Sequence, residues 1–500
     1  MSSPSTMDDG GIGTLFLLVC ISCLVFISLW TARHKRTNLP PGPTPLPIVG
    51  NLLQLDSRQI VKSVMALYEK YGPVFTVYMG LRRVVVICGY EAVKEALINQ
   101  ADDFSDRGDL PTFNKVFQKF GVAFSNGESW KQLRRFSLTT LRDFGMGKRS
   151  IEERVQEEAQ CLVEELRKTK QMPVDPTFFF SQATSNVICS TVFGNRFDYK
   201  DKEFLKLLQM MNESFQLISS YWGQLYTTYT SIMDHLPGPH NRIFRCLEGL
   251  VDFVTEKAKQ NQETLDPNSP RDFIDSFLIK MQQERQNPNT NFHLLNMIFT
   301  TLSLFFAGTE TTSTTLRYGF LIFLKYPEIA EKMHEEIDRV IGRNRGPCME
   351  DRSKMPYTDA VIHEIQRFSD LLPMGVPHAV ARDTQFRGYT IPKGTDVFIM
   401  LTTVLWDPKQ FEDPESFNPG RFLDENGEVK KSDAFLPFST GKRICLGEGL
   451  ARMELFLFFT TILQNFTLKS TKDSKDIDLR PKTSAFGNIP NSYELCVVPR

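Results

Sequence analysis

The run Phe-Ser-Thr-Gly-Lys-Arg-Ile-Cys-Leu-Gly, residues 438 to 447, decides how this chain is interpreted. It sets one cysteine, Cys445, in a glycine-punctuated loop just before an apolar stretch of helical character, Leu450 to Phe466. A thiolate there would lie at the positive end of the helix dipole and near the unpaired N–H groups of the first turn. Both effects predict a lowered pKa and a sulfur ready to bind a metal. Gly441 and Gly447 predict that the backbone passes close to something large and flat, because a Cβ atom would stand in the way.

A thiolate held in this way can serve as the axial ligand of a haem iron. The alternative is a buried structural cysteine, which is what most free cysteines are. The pattern Phe-x-x-Gly-x-Arg-x-Cys-x-Gly is complete here and resembles the ligand loop of the cytochrome P450 superfamily. On this resemblance Cys445 is the metal ligand, and Phe438, Arg443 and Gly447 bind the cofactor. Four further stretches, in the expected order, favour the haem ligand over the structural cysteine.

The composition excludes several classes of function. A net charge of −1 with 23% charged residues gives no reason to expect nucleic-acid binding or an acidic substrate. The nine cysteines are scattered, and the C-x-x-C spacing of Cys20 and Cys23 lies inside an apolar run. This distribution argues against a disulfide framework and for a reducing compartment. The 40 phenylalanines are consistent with a large apolar interior and an apolar pocket.

The N-terminal region predicts a membrane anchor. The stretch from Gly10 to Ala32 carries no charge and exceeds the roughly 20 residues that a helix needs to cross the hydrocarbon core. Two aspartates precede it and the basic run 33–36 follows it, so a cytosolic C-terminal side is predicted. A cleaved signal peptide is the alternative. The inverted charge order, the long apolar core and the lack of a clear cleavage site argue against it.

Three parts are predicted along the chain: 1–36 as anchor and basic flank, 37–50 as proline-rich hinge, and 51–500 as haem-thiolate catalytic domain. The run Leu39–Pro47 cannot form a helix and favours a stiff, extended spacer. The fold class predicted for the remainder is mainly α with a minor β sheet, because long helical patterns dominate from Trp130 to Phe368. The elements predicted individually are strands at Val74–Tyr78, Arg83–Cys88, Phe386–Ile391 and Val397–Leu401, and helices at Ala92–Asn99, Ile151–Thr169 and Asp272–Glu284.

A long uncharged run, 292–309, leads into Ala-Gly-Thr-Glu-Thr-Thr at 307–312. Its length would fit a second membrane span, but its polar residues favour a helix through the protein core. Gly308 weakens that helix near its end, and Thr311 can bond back to a main-chain carbonyl, which predicts a bent or loosened turn. Glu310 beside the Thr311 hydroxyl can order water and deliver protons, whereas a helix N-cap would explain either residue alone. The stretch resembles the oxygen-activation motif of the family, which implies that Glu310 and Thr311 are catalytic.

Glu364 and Arg367 lie one helical turn apart and on one face. Alone they are a weak signal, because most such pairs are solvated. Arg421 resembles the third member of the Glu–Arg–Arg triad of the family, with Gly420 where the family usually has an acidic residue. A buried triad would hold the fold behind the haem, and loss of one partner would cost on the order of 3–5 kcal/mol.

Trp130 and Arg134 also lie one turn apart and offer an indole N–H and a fixed cation. Both suit haem propionates, although an amphipathic surface helix would explain them in isolation. Resemblance to family members implies that Arg107, His378 and Arg443 complete the propionate set. His378 follows a proline in a non-helical stretch, which favours a hydrogen-bond donor over a metal ligand.

The strongest resemblance is to the animal microsomal, xenobiotic- and fatty-acid-oxidising members, often called family two, and it covers essentially the whole chain. It implies a haem b (iron protoporphyrin IX) monooxygenase, single-pass in the endoplasmic reticulum (microsome) membrane and facing the cytosol. Its substrates would be apolar: xenobiotics, fatty acids such as arachidonic acid, or steroids.

No G-x-G-x-x-G fingerprint appears, so electrons must come from another protein. The resemblance implies an NADPH-dependent flavoprotein reductase, with a cytochrome b type protein as a further donor. Lys131, Arg135 and Lys442 would then dock an acidic partner, unless they are only solvated surface.

The same resemblance implies a substrate pocket whose walls include Phe124, the region 215–217, Ser303, Ala307, Leu372, Val376 and Phe486. Two alternatives remain open. One is a haem-thiolate isomerase or dehydratase that acts without O₂, which has less need of a proton relay such as Glu310 and Thr311. The other is a non-catalytic, membrane-bound haem sensor. A requirement for reductase and NADPH separates both from a monooxygenase.

Overall fold

The computed structural model of this protein describes residues 38–56 and 60–500. As the sequence predicted, this part of the chain is mainly helical with small β sheets. In chain order its helices are α1 Ile60–Tyr71, α2 Tyr90–Lys94, α3 Pro111–Phe117, α4 Gly121–Phe124, α5 Gly127–Asp143, α6 Arg149–Arg167, α7 Thr177–Val192, α8 Lys202–Ile218, α9 Tyr221–Thr228, α10 Thr230–Met233, α11 His240–Glu263, α12 Phe273–Gln283, α13 Leu294–Lys325, α14 Pro327–Val340, α15 Pro356–Ser369, α16 Thr402–Leu405 and α17 Glu448–Asn465. Its strands are β1 Val74–Met79, β2 Arg82–Cys88, β3 Asp106–Arg107, β4 His378–Ala379, β5 Thr384–Phe386, β6 Tyr389–Ile391, β7 Asp396–Met400, β8 Phe466–Ser470, β9 Pro481–Ser484, β10 Asn488–Pro490 and β11 Leu495–Pro499.

Most predicted element boundaries agree with the structure, because hydrophobic periodicity is a local property of the chain. One strand prediction was wrong. The stretch Phe386–Ile391 is not a single strand but contains the turn of the β5–β6 hairpin. Arg387 and Gly388 both have positive φ, 49° and 84°, which is the backbone of a two-residue hairpin turn. The predicted helix at Ala92–Asn99 is divided into α2 and the π-helical segment Glu95–Asn99.

A five-stranded sheet with the order β1-β2-β7-β4-β3 lies beside the helices. Strand β2 pairs antiparallel with β1 and parallel with β7, which makes a buried central pair. At the far edge β3 pairs with β4, and Arg107 lies directly opposite His378. The sheet therefore joins two candidate site residues that are far apart in sequence.

Helix α13 is the core helix of the domain, and most of its residues are buried. It continues to Lys325, so Gly308 lies near its middle and not near its end as predicted. A Cβ atom at Gly308 would lie 3.2 Å from Ile188 of α7, which shows how closely the two helices approach. Further along, Phe320 stacks on Phe180 of α7 with ring centroids 4.8 Å apart.

Within residues 38–56 and 60–500, no helix has both the length and the apolar character needed to cross a membrane. Burial of α13 therefore agrees with the prediction of a protein-core helix. The predicted anchor at 10–32 lies outside the described residues. Part of the proline-rich run is described, and it is tied to β1: Thr76 donates from its backbone N–H to Pro41 O at 2.8 Å and from its hydroxyl to Pro40 O at 2.9 Å.

Candidate active site

Cys445 lies between the short turn Gly441–Arg443 and the first residue of α17. Its N–H donates to the carbonyl of Phe438 at 3.1 Å, which closes the loop. Its side chain is exposed, yet desolvation is the largest influence on the pKa of the thiol. The thiol is therefore accessible although many protein atoms surround it.

The pKa of the Cys445 thiol is raised, so the predicted lowering was wrong. Burial disfavours the thiolate and outweighs the backbone N–H groups of Gly447 and Glu448, which do act in the expected direction. The sequence argument included the helix N-terminus and omitted desolvation, which depends on residues distant in the chain. A cation bound to the sulfur would remove this penalty, because a coordinating thiol is deprotonated.

The two loop glycines have different surroundings. Gly441 has a φ of +73°, and a Cβ atom there would lie 1.9 Å from the carbonyl oxygen of Leu97. The backbone of the π-helical segment therefore excludes a side chain at Gly441. A Cβ atom at Gly447 would meet Cys445 Sγ at 3.9 Å, an ordinary contact beside the sulfur. The prediction that Gly447 makes room for a cofactor stays a prediction.

Arg107, Arg134 and Arg443 are gathered near the cysteine loop. Arg134 donates to Ile444 O at 2.6 Å, and the Arg443 guanidinium lies 3.8 Å from the centre of the Trp130 ring. Burial, reinforced by repulsion from neighbouring guanidiniums, lowers the pKa of Arg107 to about 10 and that of Arg443 to about 8.

This cation cluster has no ion-pair partner among the described residues, because no described carboxylate lies within ion-pair distance of the three guanidiniums. Apart from a contact of Arg107 with the His378 ring, their hydrogen bonds within the described protein go to carbonyl and amide oxygens. Examples are Ser105 O for Arg443 at 2.7 Å and Val376 O for Arg107 at 3.1 Å. The cluster therefore has the charge to bind an anion.

His378 is neutral, because burial and the charges of Arg107 and Arg443 lower its pKa to about 3. Its Nδ1–H donates to Phe104 O, with 2.7 Å between nitrogen and oxygen. In the neutral ring Nε2 is then the acceptor, and it lies 3.4 Å from Arg107 Nη1. The donor role predicted for His378 is directed at a backbone carbonyl, and the imidazole orients Arg107.

On α13, Thr311 donates its hydroxyl to Ala307 O at 2.6 Å, the back-bond that the sequence predicted. Ala307 is exposed and Thr311 is half-buried, although both lie on a largely buried helix. Glu310 is fully buried, and its carboxyl accepts a long hydrogen bond of 3.5 Å from the Asn212 amide on α8. Burial raises the pKa of Glu310 to about 7, against a lowering by Arg317 and Asn212. Adjacent in sequence, Glu310 and Thr311 thus make contacts with different groups.

Two of the predicted pocket residues, Phe124 and Phe486, belong to an aromatic cluster that the sequence argument only partly found. Phe124 stacks on Phe113 at 5.0 Å, and Phe486 lies 5.4 Å from the same ring. Phe215 and Phe306 complete the cluster, 6.2 Å apart, with Phe215 also 6.3 Å from Phe486. Phe113 and Phe306 were missed because a single aromatic residue in an apolar helix carries no distinguishing pattern.

The remaining predicted pocket residues differ in exposure. Ser303 is buried and donates its hydroxyl to Phe299 O at 2.6 Å, so its donor is already used. Leu372 and Val376 are half-buried in the segment between α15 and β4.

The structure brings Glu364, Arg367 and Arg421 together. Glu364 and Arg367 are fully buried, with two contacts of 2.7 and 2.8 Å between guanidinium and carboxylate. Arg421 donates from Nε to Glu364 at 3.0 Å, and the N–H of Asn418 adds a fourth donor at 2.9 Å. Arg367 and Arg421 also share the carbonyl of Ser416. The backbone carbonyls around Arg421 make an acidic residue at position 420 unnecessary for holding it.

Two of the basic residues predicted to dock a partner protein already form ion pairs within the chain. Lys442 pairs with Asp102, and Lys131 pairs with Glu128 at 2.6 Å. Arg135 is exposed on the same helix as Lys131. Only a solvated surface is needed to explain these pairs.

The family model described as cytochrome P450 matches residues 40–497. The chain is 61% identical to cytochrome P450 2A13 of Homo sapiens over 494 residues, which is 99% of this chain and 100% of that protein. It is 60% identical to cytochrome P450 2G1 of Oryctolagus cuniculus and to cytochrome P450 2A6 of Homo sapiens, with the same coverage. The chain therefore belongs to the cytochrome P450 family. It is an oxidoreductase of the monooxygenase class, and its family implies a haem cofactor, a redox partner and small apolar substrates.

The residues present fit a haem. An accessible thiol lies at the N-terminus of a helix, and nearby guanidiniums lack a carboxylate partner among the described residues. Haem offers the two things that these groups lack, an iron cation for sulfur and two propionate anions for the guanidiniums.

Proposed function

We propose that this chain is a microsomal haem-thiolate monooxygenase that inserts one oxygen atom from O₂ into apolar organic substrates such as xenobiotics, fatty acids including arachidonic acid, and steroids. The observation that carries the proposal is the exposed side chain of Cys445 beside three guanidinium groups, none of which has a described carboxylate within ion-pair distance. On the opposite side we assign Ala307, which is exposed, and Thr311, which is half-buried, both on α13.

In this proposal Cys445 is the proximal iron ligand, and Phe438 and Gly447 shape its loop. Arg107, Arg134 and Arg443 bind the propionates, with Trp130 stacked on Arg443 and His378 orienting Arg107. When bound, haem b supplies the redox chemistry that activates dioxygen. The protein supplies the ligand, charge balance and a pocket that excludes water.

Glu310 and Thr311 are the proposed proton donors. A buried carboxyl whose pKa is raised to about 7 is partly protonated at neutral pH, which is what a general acid requires. The Thr311 hydroxyl donates its hydrogen bond to Ala307 O. Its oxygen can therefore accept a hydrogen bond from water and position that water. The acid and the hydroxyl would then act through water, since they make no direct contact with each other among the hydrogen bonds described.

The aromatic cluster supports an apolar substrate. Phe124 and Phe486 are joined by Phe113, and we assign the half-buried Leu372 and Val376 to the same pocket. Apolar walls with few polar groups are typical of small-molecule pockets. With no charged side chain at Ser303, a cationic substrate has no partner at that position.

Electrons are proposed to come from NADPH through a flavoprotein reductase, with a cytochrome b type protein as a further donor. Residues 10–32 are proposed as a single-pass anchor in the endoplasmic reticulum membrane, with the domain facing the cytosol. Exposed apolar residues near α9 and α10 support a second contact with lipid, since Trp222, Ile232 and Leu236 are 39%, 58% and 47% exposed.

The test is reconstitution of the haem-loaded protein in lipid with reductase and NADPH, followed by product profiling over a panel of drugs, fatty acids and steroids. Oxygenated product that depends on O₂, NADPH and reductase is expected. Product formed from a peroxide substrate without any of the three would favour the isomerase or dehydratase. Substrate-induced spectral change without any product would favour the sensor.

A further inference from the structure

The carboxyl of Glu310 is poorly satisfied for a fully buried acid. Its Oε2 accepts only the long contact of 3.5 Å from Asn212, and its Oε1 has no partner among the described residues. Nearly all buried polar atoms in native proteins are hydrogen-bonded to protein or to buried water. The free oxygen therefore marks a position where a further group acts on this acid.

Arg317 lies on the same face of α13, two helical turns beyond Glu310. Arg317 is 2% exposed, and its Nε and Nη1 have no partner among the described residues. About 10 Å of helix axis separates residues seven apart, and side chains on a helix lean toward its N-terminus. The long arginine side chain therefore leans toward Glu310, where its charge acts on the carboxyl.

Asn212 reaches the same carboxyl from α8. Its carbonyl oxygen accepts from Gln216 Nε2 at 2.6 Å, which turns its amide N–H group toward Glu310. On α7 the groups beside this part of α13 are neutral, Ile188 and Thr184. On α17 the buried carboxyl of Glu454 accepts a hydrogen bond of 3.1 Å from the Thr312 hydroxyl. Thr312 lies two residues beyond Glu310 and so on a different face of α13. Arg317 is thus the charged side chain whose field acts on Glu310 among the described residues.

We propose that Asn212 and Arg317 are positioning residues that together hold the Glu310 carboxyl and set how readily it releases a proton, Asn212 by direct contact and Arg317 through buried water. The Arg317 nitrogens and the Glu310 oxygen that lack hydrogen-bond partners lie on one face of α13. Buried water commonly bridges polar groups of this kind. The proposal rests on the proposed function, in which Glu310 is the proton donor.

The direction of the effect follows from charge. A cation and an amide N–H both stabilise the carboxylate, so removing either makes Glu310 hold its proton to a higher pH. If the protonated acid is required, coupling (product formed per NADPH) falls as the pH rises through the pKa of Glu310. Arg317→Met and Asn212→Leu should each move the midpoint of that fall upward, by about one pH unit for the arginine.

The experiment measures coupling against pH in the reconstituted full-length holoenzyme, normalised to haem content. Arg317→Lys keeps the positive charge and should stay near the wild-type midpoint. Thr184→Val removes a buried hydrogen bond from α7 to Thr309 O on α13 and should leave the midpoint unchanged. In a Glu310→Gln background, Asn212→Leu should produce no shift.

Unchanged midpoints for Asn212→Leu and Arg317→Met would overturn the proposal, as would an equal shift in the Glu310→Gln background. If Arg317→Met does not bind haem, Asn212→Leu alone decides. Failure of the proposed function is a different result, because the wild-type protein would then show no product that depends on reductase and NADPH.

Discussion

Removal of the Glu364 carboxylate should destabilise the domain far more than removal of a surface carboxylate. Glu364→Ala deletes the acceptor of four hydrogen bonds, two from Arg367, one from Arg421 and one from the Asn418 N–H. It also leaves two guanidiniums without a counter-charge, one fully buried and the other 7% exposed. Breaking a buried ion pair in this way costs about 3–5 kcal/mol.

That free energy converts into a measurable shift. Unfolding entropy of about 2.1 cal/mol/K per residue amounts to about 1 kcal/mol/K for a domain of roughly 460 residues. Glu364→Ala should therefore lower Tm by about 3–5 °C when unfolding is followed by circular dichroism at a fixed scan rate. Glu364→Gln keeps the shape and one acceptor, so a smaller decrease is expected.

The matched control is Glu153→Ala in the ion pair between Arg149 and Glu153, whose side chains are 90% and 63% exposed. Exposed pairs of this kind contribute about 0–1 kcal/mol, which corresponds to a Tm change of less than about 1 °C. Equal Tm decreases for Glu364→Ala and Glu153→Ala would refute the reasoning, because burial would then make no difference to the ion pair.

Three further predictions concern the proposed function. The ferrous carbonyl form of the wild-type protein should show the long-wavelength Soret band of thiolate ligation, and Cys445→His should lose it; persistence of that band in the variant would exclude Cys445 as ligand. Thr311→Ala should keep NADPH consumption while product falls, toward the low end of the roughly 10²–10⁴-fold range of acid catalysis, and peroxide rises; unchanged product per NADPH would remove Thr311 from the relay. Deletion of residues 1–32 should leave a domain that folds and binds haem but stays partly bound to membrane, and charged substitutions at Ile232 and Leu236 should release it. If the truncated protein is already fully soluble at low salt, the second membrane contact does not exist.

The residue order by itself determined the family, the mainly helical fold and most element boundaries. These depend on local information: the spacing around Cys445, and apolar periodicity such as that of α6 and α12. Periodicity fixes which face of an element is buried, because each helix or strand must cover its own apolar side. It did not find the β5–β6 turn, where the backbone conformation of Arg387 decides the structure.

Only the tertiary structure decided the electrostatics of the candidate site. The thiol of Cys445 lies at a helix N-terminus as the sequence indicated, yet its pKa rises because burial outweighs the helix N–H groups. Desolvation and charge repulsion depend on groups that the chain brings together from distant positions, as the pairing of Arg107 with His378 across 271 residues shows. The same is true of Asn212 and Glu310, which are 98 residues apart and meet only because α8 packs on α13. Such contacts have no local pattern in the sequence, since their distances and burial exist only once the helices have packed.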